Sequence, residues 1–425
     1  MSIARSEVVL ITRRRTANKG NQALSAAWLA MARRAFPDDA IRVLERRPRH
    51  LVQFTLARVA AARDPRRAFD AIVDQAARLA PGAAGVGAPP AEVKIELDEG
   101  MPPPDRFGAI RKRLNLRGWA ARARLYEAEY RARLAACQRA RLVVLNPAGE
   151  FFPREPEPAF YHLLDAAVAE RLGCPTAMVN HTMDIADPTL RQIIPPLYRR
   201  LALVGFRDDK SVRAFREMGG DLGNVVVTPD LALTTPVGEA APRRPGTVAI
   251  AINVPEATAY GYVEGWLDVL AGLRRAGLQI VLVSNEVPTD RAFYARARAE
   301  LGVAIEGEGL DHDRYAELLG GYELVVSSRM HTAILAMVAG TPVLPVEGSS
   351  FKITGLIEQL GLSTAVVQPN RDGWTTEVVT QAVALHARRA SVADEVRRRV
   401  LTVQAEIDGA LVPRLRAVAR ARKAA

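Results

Sequence analysis

The chain has 425 residues, of which 49% are hydrophobic and 25% charged, and its 58 basic and 47 acidic side chains give a net charge of +11. These values are typical of a globular protein long enough for two domains with separate cores. Aromatic residues make up only 6%, and we find no RNA-binding, zinc-finger or helix-turn-helix pattern, so nucleic acid is disfavoured as a partner.

Two cysteines are too few for a disulfide framework or a structural zinc site, so we expect no metal and a reducing cytoplasm. The sequence contains no apolar run of about 18 residues, which a membrane-spanning helix would need. The first residues, MSIARSEVVLITRRR, are typical of a first strand rather than of a signal peptide.

The first half of the chain alternates short β-rich apolar runs with helical patterns, as α/β proteins with parallel sheets do. The first helix is predicted over 21–36. The predicted strands are 7–12, 40–45, 140–146, 175–180, 201–206 and 224–230.

A Pro- and Gly-rich stretch, 234–247, is typical of a linker, and a second alternating series follows it. We therefore predict two Rossmann-like domains facing a cleft. The N-terminal domain covers 1–236, the C-terminal domain covers 246–376, and the remaining residues, 377–425, form one or two helices.

The region 50–139 interrupts this rhythm and is predicted to be a helical insertion in the N-terminal domain. Between Asp105 and Arg141 it has eleven basic and three acidic residues, a net charge of +8. A solvated helix face is the simplest interpretation. Peripheral contact with an anionic membrane surface or an acidic glycan is the alternative.

The stretch SSRMHTAILAMVAGTPVLPV places Arg329 and His331 where a strand ends and a helix, predicted from about 331 to 339, begins. Cations are disfavoured at a helix N-terminus because the helix dipole is already positive there. Ser328, Arg329 and His331 would therefore suit a bound phosphate or carboxylate. Pairing of Arg329 with a nearby carboxylate is the structural alternative.

Other strand ends carry further candidates. Asn18, Gly20 and Asn21 join the first strand to the first helix, where they can cap the helix or touch a ligand. Arg207 follows a strand. If Asp208 or Asp209 caps the next helix, Arg207 has no evident structural role. Lys352 is one of only six lysines in the chain.

Two further candidates are titratable groups. Glu150 lies in the turn of LNPAGEFFP after a strand, and His181 follows the next strand. Either side chain can act as a general base if it reaches the cleft. A solvated loop glutamate and a structural histidine are the alternatives.

The order of these motifs resembles the polysaccharide pyruvyl transferase family. The resemblance is carried by NKGNQAL, FRDDKS, VVTPDLAL, the Arg329–His331 stretch and Lys352 ahead of LIEQLGL. It implies a GT-B-like fold and transfer of a pyruvyl group from phosphoenolpyruvate to a sugar or lipid-linked glycan acceptor. No other cofactor is implied.

By that resemblance, Arg329 and His331 would face the donor, Arg207 would be a further anion clamp, and His331 would be the acid. Two departures are evident: Asn21 stands where the family commonly has an acidic residue, and its glycine-rich turn is reduced to NPAGE. A GT-B glycosyltransferase with a nucleotide-sugar donor and a non-catalytic anion-binding relative remain the alternatives.

Overall fold

The computed structural model describes residues 7–13, 16–45, 55–81, 116–237, 242–348 and 350–421. In this part of the chain, no helix is both long and apolar enough to cross a membrane.

The first sheet has six parallel strands in the order β2-β1-β3-β4-β5-β6. Its strands are β1 (Glu7–Thr12), β2 (Ala40–Glu45), β3 (Leu142–Leu145), β4 (Thr176–His181), β5 (Leu203–Phe206) and β6 (Val225–Val227). Both faces are buried: alternate residues of β1 belong to two different apolar clusters, Val8 and Leu10 on one side and Val9 and Ile11 on the other. Apolar runs on both faces explain why these strands have little polar alternation in the sequence.

Helices cover both faces of this sheet. They are α1 (Lys19–Ala35), α2 (Leu56–Ala60), α3 (Pro65–Ala77), α4 (Leu116–Arg139), α5 (Pro156–Arg171), α6 (Pro188–Arg200) and α7 (Asp209–Glu217), followed by a short 3-10 helix, Leu231–Thr234. The predicted insertion supplies α2, α3 and α4. Residues 82–115, which hold its Pro- and Gly-rich part and much of its basic charge, lie outside the described residues.

The second sheet has five parallel strands in the order β11-β10-β7-β8-β9. They are β7 (Thr247–Ala251), β8 (Gln279–Val283), β9 (Ala304–Glu306), β10 (Leu324–Ser327) and β11 (Val343–Pro345). The helices between and after them are α8 (Val254–Ala259), α9 (Val263–Arg275), α10 (Val287–Leu301), α11 (His312–Gly320), α12 (Met330–Val338), α13 (Lys352–Leu360), α14 (Trp374–Ala387) and α15 (Arg389–Ala421).

The last helix, α15, returns to the first domain. Arg416 donates to the backbone carbonyls of Ala35 and Arg34, at 2.9 and 2.8 Å. Both residues are in the last turn of α1. Gln404 donates to the carbonyl of Leu233 at 2.7 Å. The 33 residues of α15 therefore tie the two domains together.

Strand order decides where a ligand can enter. It reverses between β1 and β3 in the first sheet and between β7 and β10 in the second. Open parallel sheets bind ligands at the carboxyl ends of strands beside such a reversal, because the flanking loops separate there. The loops after β1, β3, β7 and β10 are therefore where a site is expected.

Candidate active site

The loops at these two strand-order reversals line one cavity of about 400 Å³ between the domains. All but two of the ten residues predicted from the sequence line it; Gly20 and His181 do not. The residues that do so are Asn18, Asn21, Glu150, Arg207, Ser328, Arg329, His331 and Lys352.

Helix α12 points its first turn at the cavity. It begins at Met330, one residue before the predicted start, and among the described residues no side chain caps it. The residues of its first turn, Met330, His331 and Thr332, line the cavity. Ser328 does not provide the cap, because its hydroxyl accepts the N–H of Asn253 at 2.8 Å. Free N–H groups and the helix dipole make this an anion-binding end.

Arg329 has carboxylate partners, as in the structural alternative. Its guanidinium is hydrogen-bonded to Asp290 and donates to the carbonyl of Ile252 at 3.1 Å, and its Nη1 lies 3.6 Å from Glu286. Asp290 is 1% exposed and also accepts the backbone N–H groups of Asn285 and Glu286. Arg329 therefore has the internal partners of the structural alternative, and the uncapped start of α12 keeps the site suited to an anion.

Arg207 is held in a buried ion pair. This corrects the expectation that Arg207 has no evident structural role. Its Nη1 donates to Asp230 at 2.7 Å and its Nε to Thr182 at 2.8 Å. Burial alone would raise the pKa of Asp230, but the Arg207 guanidinium, with His331 and the N–H of Ala232, holds that pKa well below its usual range. Asp230 is therefore ionised at neutral pH and fixes Arg207 beside the cleft.

His331 lies between this ion pair and α1. Its Nε2 is 3.7 Å from Asp230 Oδ2, which is longer than a hydrogen bond. On its other side, a Cβ built on Gly20 would lie 2.3 Å from His331 Cβ and 2.8 Å from Nδ1. Gly20 is thus no ligand contact; its missing side chain makes the space that His331 occupies.

Asn18 connects the domains and also caps α1. Its Oδ1 accepts the N–H of Asn21 at 3.1 Å, and its Nδ2 donates to Glu286 at 3.0 Å in the second domain. Next to it, Lys19 is 2% exposed and donates to the carbonyl of Asn285 at 3.3 Å. Burial lowers the pKa of Lys19, while Asp290 opposes that shift. Lys19 is one of only six lysines in the chain, and it is not among the residues that line the cavity.

Lys352 approaches the cleft from the start of α13. Its ammonium lies 4.6 Å from the centre of the Phe152 ring. Burial lowers the pKa of Lys352; Glu256 opposes that shift and Arg207 adds to it. The N-terminus of the same helix is occupied, because Glu347 accepts the N–H groups of Ile353 and Thr354 at 3.1 and 2.7 Å.

The turn after β3 presents Glu150 to the cavity. Ala148 in this turn has φ 54°, a left-handed conformation that glycine adopts more freely than alanine. Glu150 Oε2 lies 2.8 Å from His162 Nε2, and Oε1 lies 3.7 Å from Arg13 Nη1. His162 is on α5 and was not predicted, because a histidine inside an apolar helix resembles a core residue.

His181 is not at the cavity, which corrects its selection as a candidate base. It is fully buried, its Nε2 is 2.8 Å from the Tyr198 hydroxyl, and the rings of Phe151 and Phe206 pack against it. Burial, with the nearby charge of Arg207, lowers the pKa of His181 to about 3. A histidine in this place is a neutral core group.

Cations and carboxylates are balanced in the cavity. Four arginine or lysine side chains line it, Arg13, Arg207, Arg329 and Lys352, with five glutamates, Glu150, Glu155, Glu256, Glu286 and Glu347. An anionic ligand would therefore be held by selected N–H groups rather than by a strongly positive field.

Comparisons with known proteins identify the family and the fold. A protein-family model described as polysaccharide pyruvyl transferase matches residues 18–350. A search of curated proteins gives no match.

Among solved structures, OtsA in its apo form is similar with a TM-score of 0.52 at 11% identity, covering 95% of this chain and 97% of that chain. MnaA of S. aureus, solved with UDP, has a TM-score of 0.50 at 11% identity, covering 92% and 91%. The spinosyn rhamnosyltransferase SpnG gives 0.47 at 13% identity, covering 97% and 99%. At these identities the likeness shows the fold alone, and the predicted GT-B-like arrangement of two Rossmann-like domains is confirmed.

Proposed function

The chain belongs to the polysaccharide pyruvyl transferase family and is a transferase, and we propose that it moves a pyruvyl group from phosphoenolpyruvate to a sugar of a polysaccharide or glycan precursor. One observation carries the proposal: the uncapped start of α12, with Arg329 and His331, lines the same cavity as Arg207. A donor with two anionic groups needs two such places.

The donor contacts can be assigned to particular atoms. Among the described residues, Nη2 of Arg207 makes no hydrogen bond, and Nη1 of Arg329 has only the 3.6 Å contact with Glu286. Both nitrogens can donate to a phosphate or carboxylate while the rest of each guanidinium stays fixed by its carboxylate. Such prearranged arginines bind anions without having to be ordered first. Lys352 adds a third donor at the cavity wall.

The proposed reaction needs one proton donor and one proton acceptor. A proton is added to the methylene carbon of the donor, and an acceptor hydroxyl oxygen bonds to the adjacent carbon as it loses its own proton. A second hydroxyl of the same sugar then displaces phosphate and gives a ketal, and the proton of this second hydroxyl leaves with the phosphate. We assign His331 as the acid, because its imidazole lines the cavity beside the uncapped start of α12, and Glu150 as the base.

The test is release of phosphate from phosphoenolpyruvate in the presence of a pool of sugar and nucleotide-sugar acceptors. We expect release that requires an acceptor, and a His331→Asn variant that binds donor with unchanged affinity but turns over about 10²–10⁴-fold more slowly. Failure of the wild type with every acceptor, combined with thermal stabilisation by UDP, GDP or ADP but not by phosphoenolpyruvate, would establish the nucleotide-sugar glycosyltransferase instead. Donor binding without turnover would identify a non-catalytic relative.

Two further parts of the proposal concern the cell. We place the reaction in the reducing cytoplasm, since the chain has only two cysteines and both are buried. Peripheral contact with an anionic membrane surface through the basic segment 105–141 remains a prediction, because much of that segment lies outside the described residues.

A further inference from the structure

His162 is a buried histidine directed at a cleft carboxylate. Its side chain is 1% exposed, and it lies on α5 between Tyr161 and Leu163, in a stretch whose other buried members are apolar. Its Nε2 lies 2.8 Å from Glu150 Oε2, while Glu150 keeps 21% of its side chain exposed at the cavity. A polar ring inside an apolar layer costs stability unless it is hydrogen-bonded, and the Glu150 carboxylate is one partner that offsets this cost.

We propose that His162 is a positioning residue, which holds the Glu150 carboxylate in one orientation so that it can take the proton of the acceptor hydroxyl. This inference rests on the proposed function, because it concerns the base of that same reaction. The hydroxyl O–H bond breaks, its electron pair forms the new bond to the donor carbon, and the proton goes to the carboxylate. A base that is fixed by a third group needs no reorganisation when the reaction begins.

Two other carboxylates of the cavity have partners outside the proposed acceptor side. Glu347 accepts two backbone N–H groups at the start of α13. Glu286 accepts from Asn18 and lies beside Arg329, on the side assigned to the donor. Glu150 instead comes from the first domain, in the same turn as Phe152, where an acceptor would meet a donor held at α12.

Several charged groups from different elements surround the His162–Glu150 pair. Arg13 at the end of β1 lies 3.7 Å from Glu150 Oε1, and its side chain is half exposed. His181 on β4 is close enough to His162 for the two rings to interact electrostatically. A Cβ built on the adjacent Gly149 would lie 3.3 Å from Arg207 Nη2 and 3.6 Å from Lys352 Cε. Arg13, Arg207 and Lys352 are thus the cations nearest the Glu150 turn.

The experiment compares His162→Leu, which removes the donor, with His162→Gln, whose amide N–H can replace Nε2–H. We expect His162→Leu to lower kcat about 10–100-fold, as loss of an orienting partner does at metal sites, with the KM for phosphoenolpyruvate unchanged. The acid limb of its kcat–pH profile moves to higher pH, because Glu150 loses a hydrogen bond to its ionised form. His162→Gln restores the limb and most of kcat.

His386→Leu is a matched control. His386 Nε2 lies 2.8 Å from Glu323 Oε2, so the control breaks an equally short His–Glu contact outside the cavity. We expect it to change thermal stability and leave the pH profile alone. If His162→Leu also leaves the profile unchanged, or if His162→Gln fails to restore it, His162 is only a core residue and the inference is wrong.

A second measurement does not depend on turnover. Labelling the six histidines with ¹⁵N reports the tautomer of each ring, and Glu150→Gln should move the His162 signals while the His386 signals stay in place. Unchanged His162 signals would overturn the pairing whatever the activity. A wild type without turnover would instead refute the proposed function, so the two failures are distinguishable.

Discussion

Replacement of Gly20 by alanine tests the arrangement around His331 most directly. Gly20 is in the first turn of α1, and in an unobstructed helix a glycine-to-alanine change stabilises by about 0.5–1 kcal/mol. Here the new Cβ would lie 2.3 Å from His331 Cβ, 2.6 Å from Cγ and 2.8 Å from Nδ1. The nearest atom is next to the backbone of α12, so rotation of the imidazole cannot relieve the contact.

The magnitude follows from the distance. Ordinary contacts of a Cβ begin at 3.4 Å, so α1 and α12 must separate by about 1 Å, a displacement that can cost about 10²-fold in rate when it moves a reacting group. Overpacking of this kind costs about 1–3 kcal/mol, which exceeds the gain in helix propensity. We expect Gly20→Ala to lower both the free energy of unfolding and kcat.

Urea denaturation and acceptor-dependent phosphate release measure the two effects. Gly409→Ala is the control, because Gly409 is inside α15 and a Cβ there would meet nothing within 4 Å. That change should raise stability by about 0.5–1 kcal/mol and leave kcat unaltered. A Gly20→Ala protein with wild-type stability and kcat/KM would show that α1 does not constrain His331.

Three further changes test individual contacts. Asp230→Asn leaves the buried Arg207 charge without its partner and should cost about 3–5 kcal/mol at pH 7 in chemical denaturation. Since the folded pKa of Asp230 lies below its unfolded value of about 3.9, its contribution is complete above about pH 5 and is lost as the pH falls toward the folded pKa; the cost of Asp230→Asn should therefore shrink in acid. Asp290→Asn should cost a similar amount and weaken phosphoenolpyruvate binding in calorimetry, because Arg329 loses its fixed position; an unchanged affinity would remove Arg329 from the donor site. Arg416→Ala deletes two hydrogen bonds to the end of α1 and should lower the free energy of unfolding by about 1–3 kcal/mol, and no change in denaturation would show that α15 is not held there.

The sequence predicts the framework of the site well because β–α alternation fixes which residues follow a strand. Apolar runs ending at Thr12, Leu145 and Ser327 place the following loops at carboxyl ends of parallel strands, and those loops do line the cavity. The family resemblance, carried mainly by the stretch around Arg329, is confirmed by the match over 18–350. Boundaries shift only slightly, as at β5, which begins at Leu203 rather than at 201.

Side-chain partners are less predictable, because they depend on distant segments and on orientation. Arg329 meets Asp290, which is 39 residues earlier in the chain and on another helix. Two histidines show this dependence. His181, at the end of a strand, is buried in the core beside Tyr198. His162, inside a helix, contacts the Glu150 carboxylate at the cleft. Hydrophobic periodicity predicts which face of a helix or strand is buried. It does not predict which buried polar side chain contacts the site.

The path of α15 has a consequence for how the protein is made. The chain emerges from the ribosome from its N-terminus, and domains generally fold as they appear. The end of α1 receives its hydrogen bonds from Arg416, and Arg141, just before β3, donates to the carbonyl of Ala419 at 3.0 Å. The first domain is thus completed only after α15 has been made. Until then, the apolar surface of α1 that packs in one cluster with α15 is uncovered.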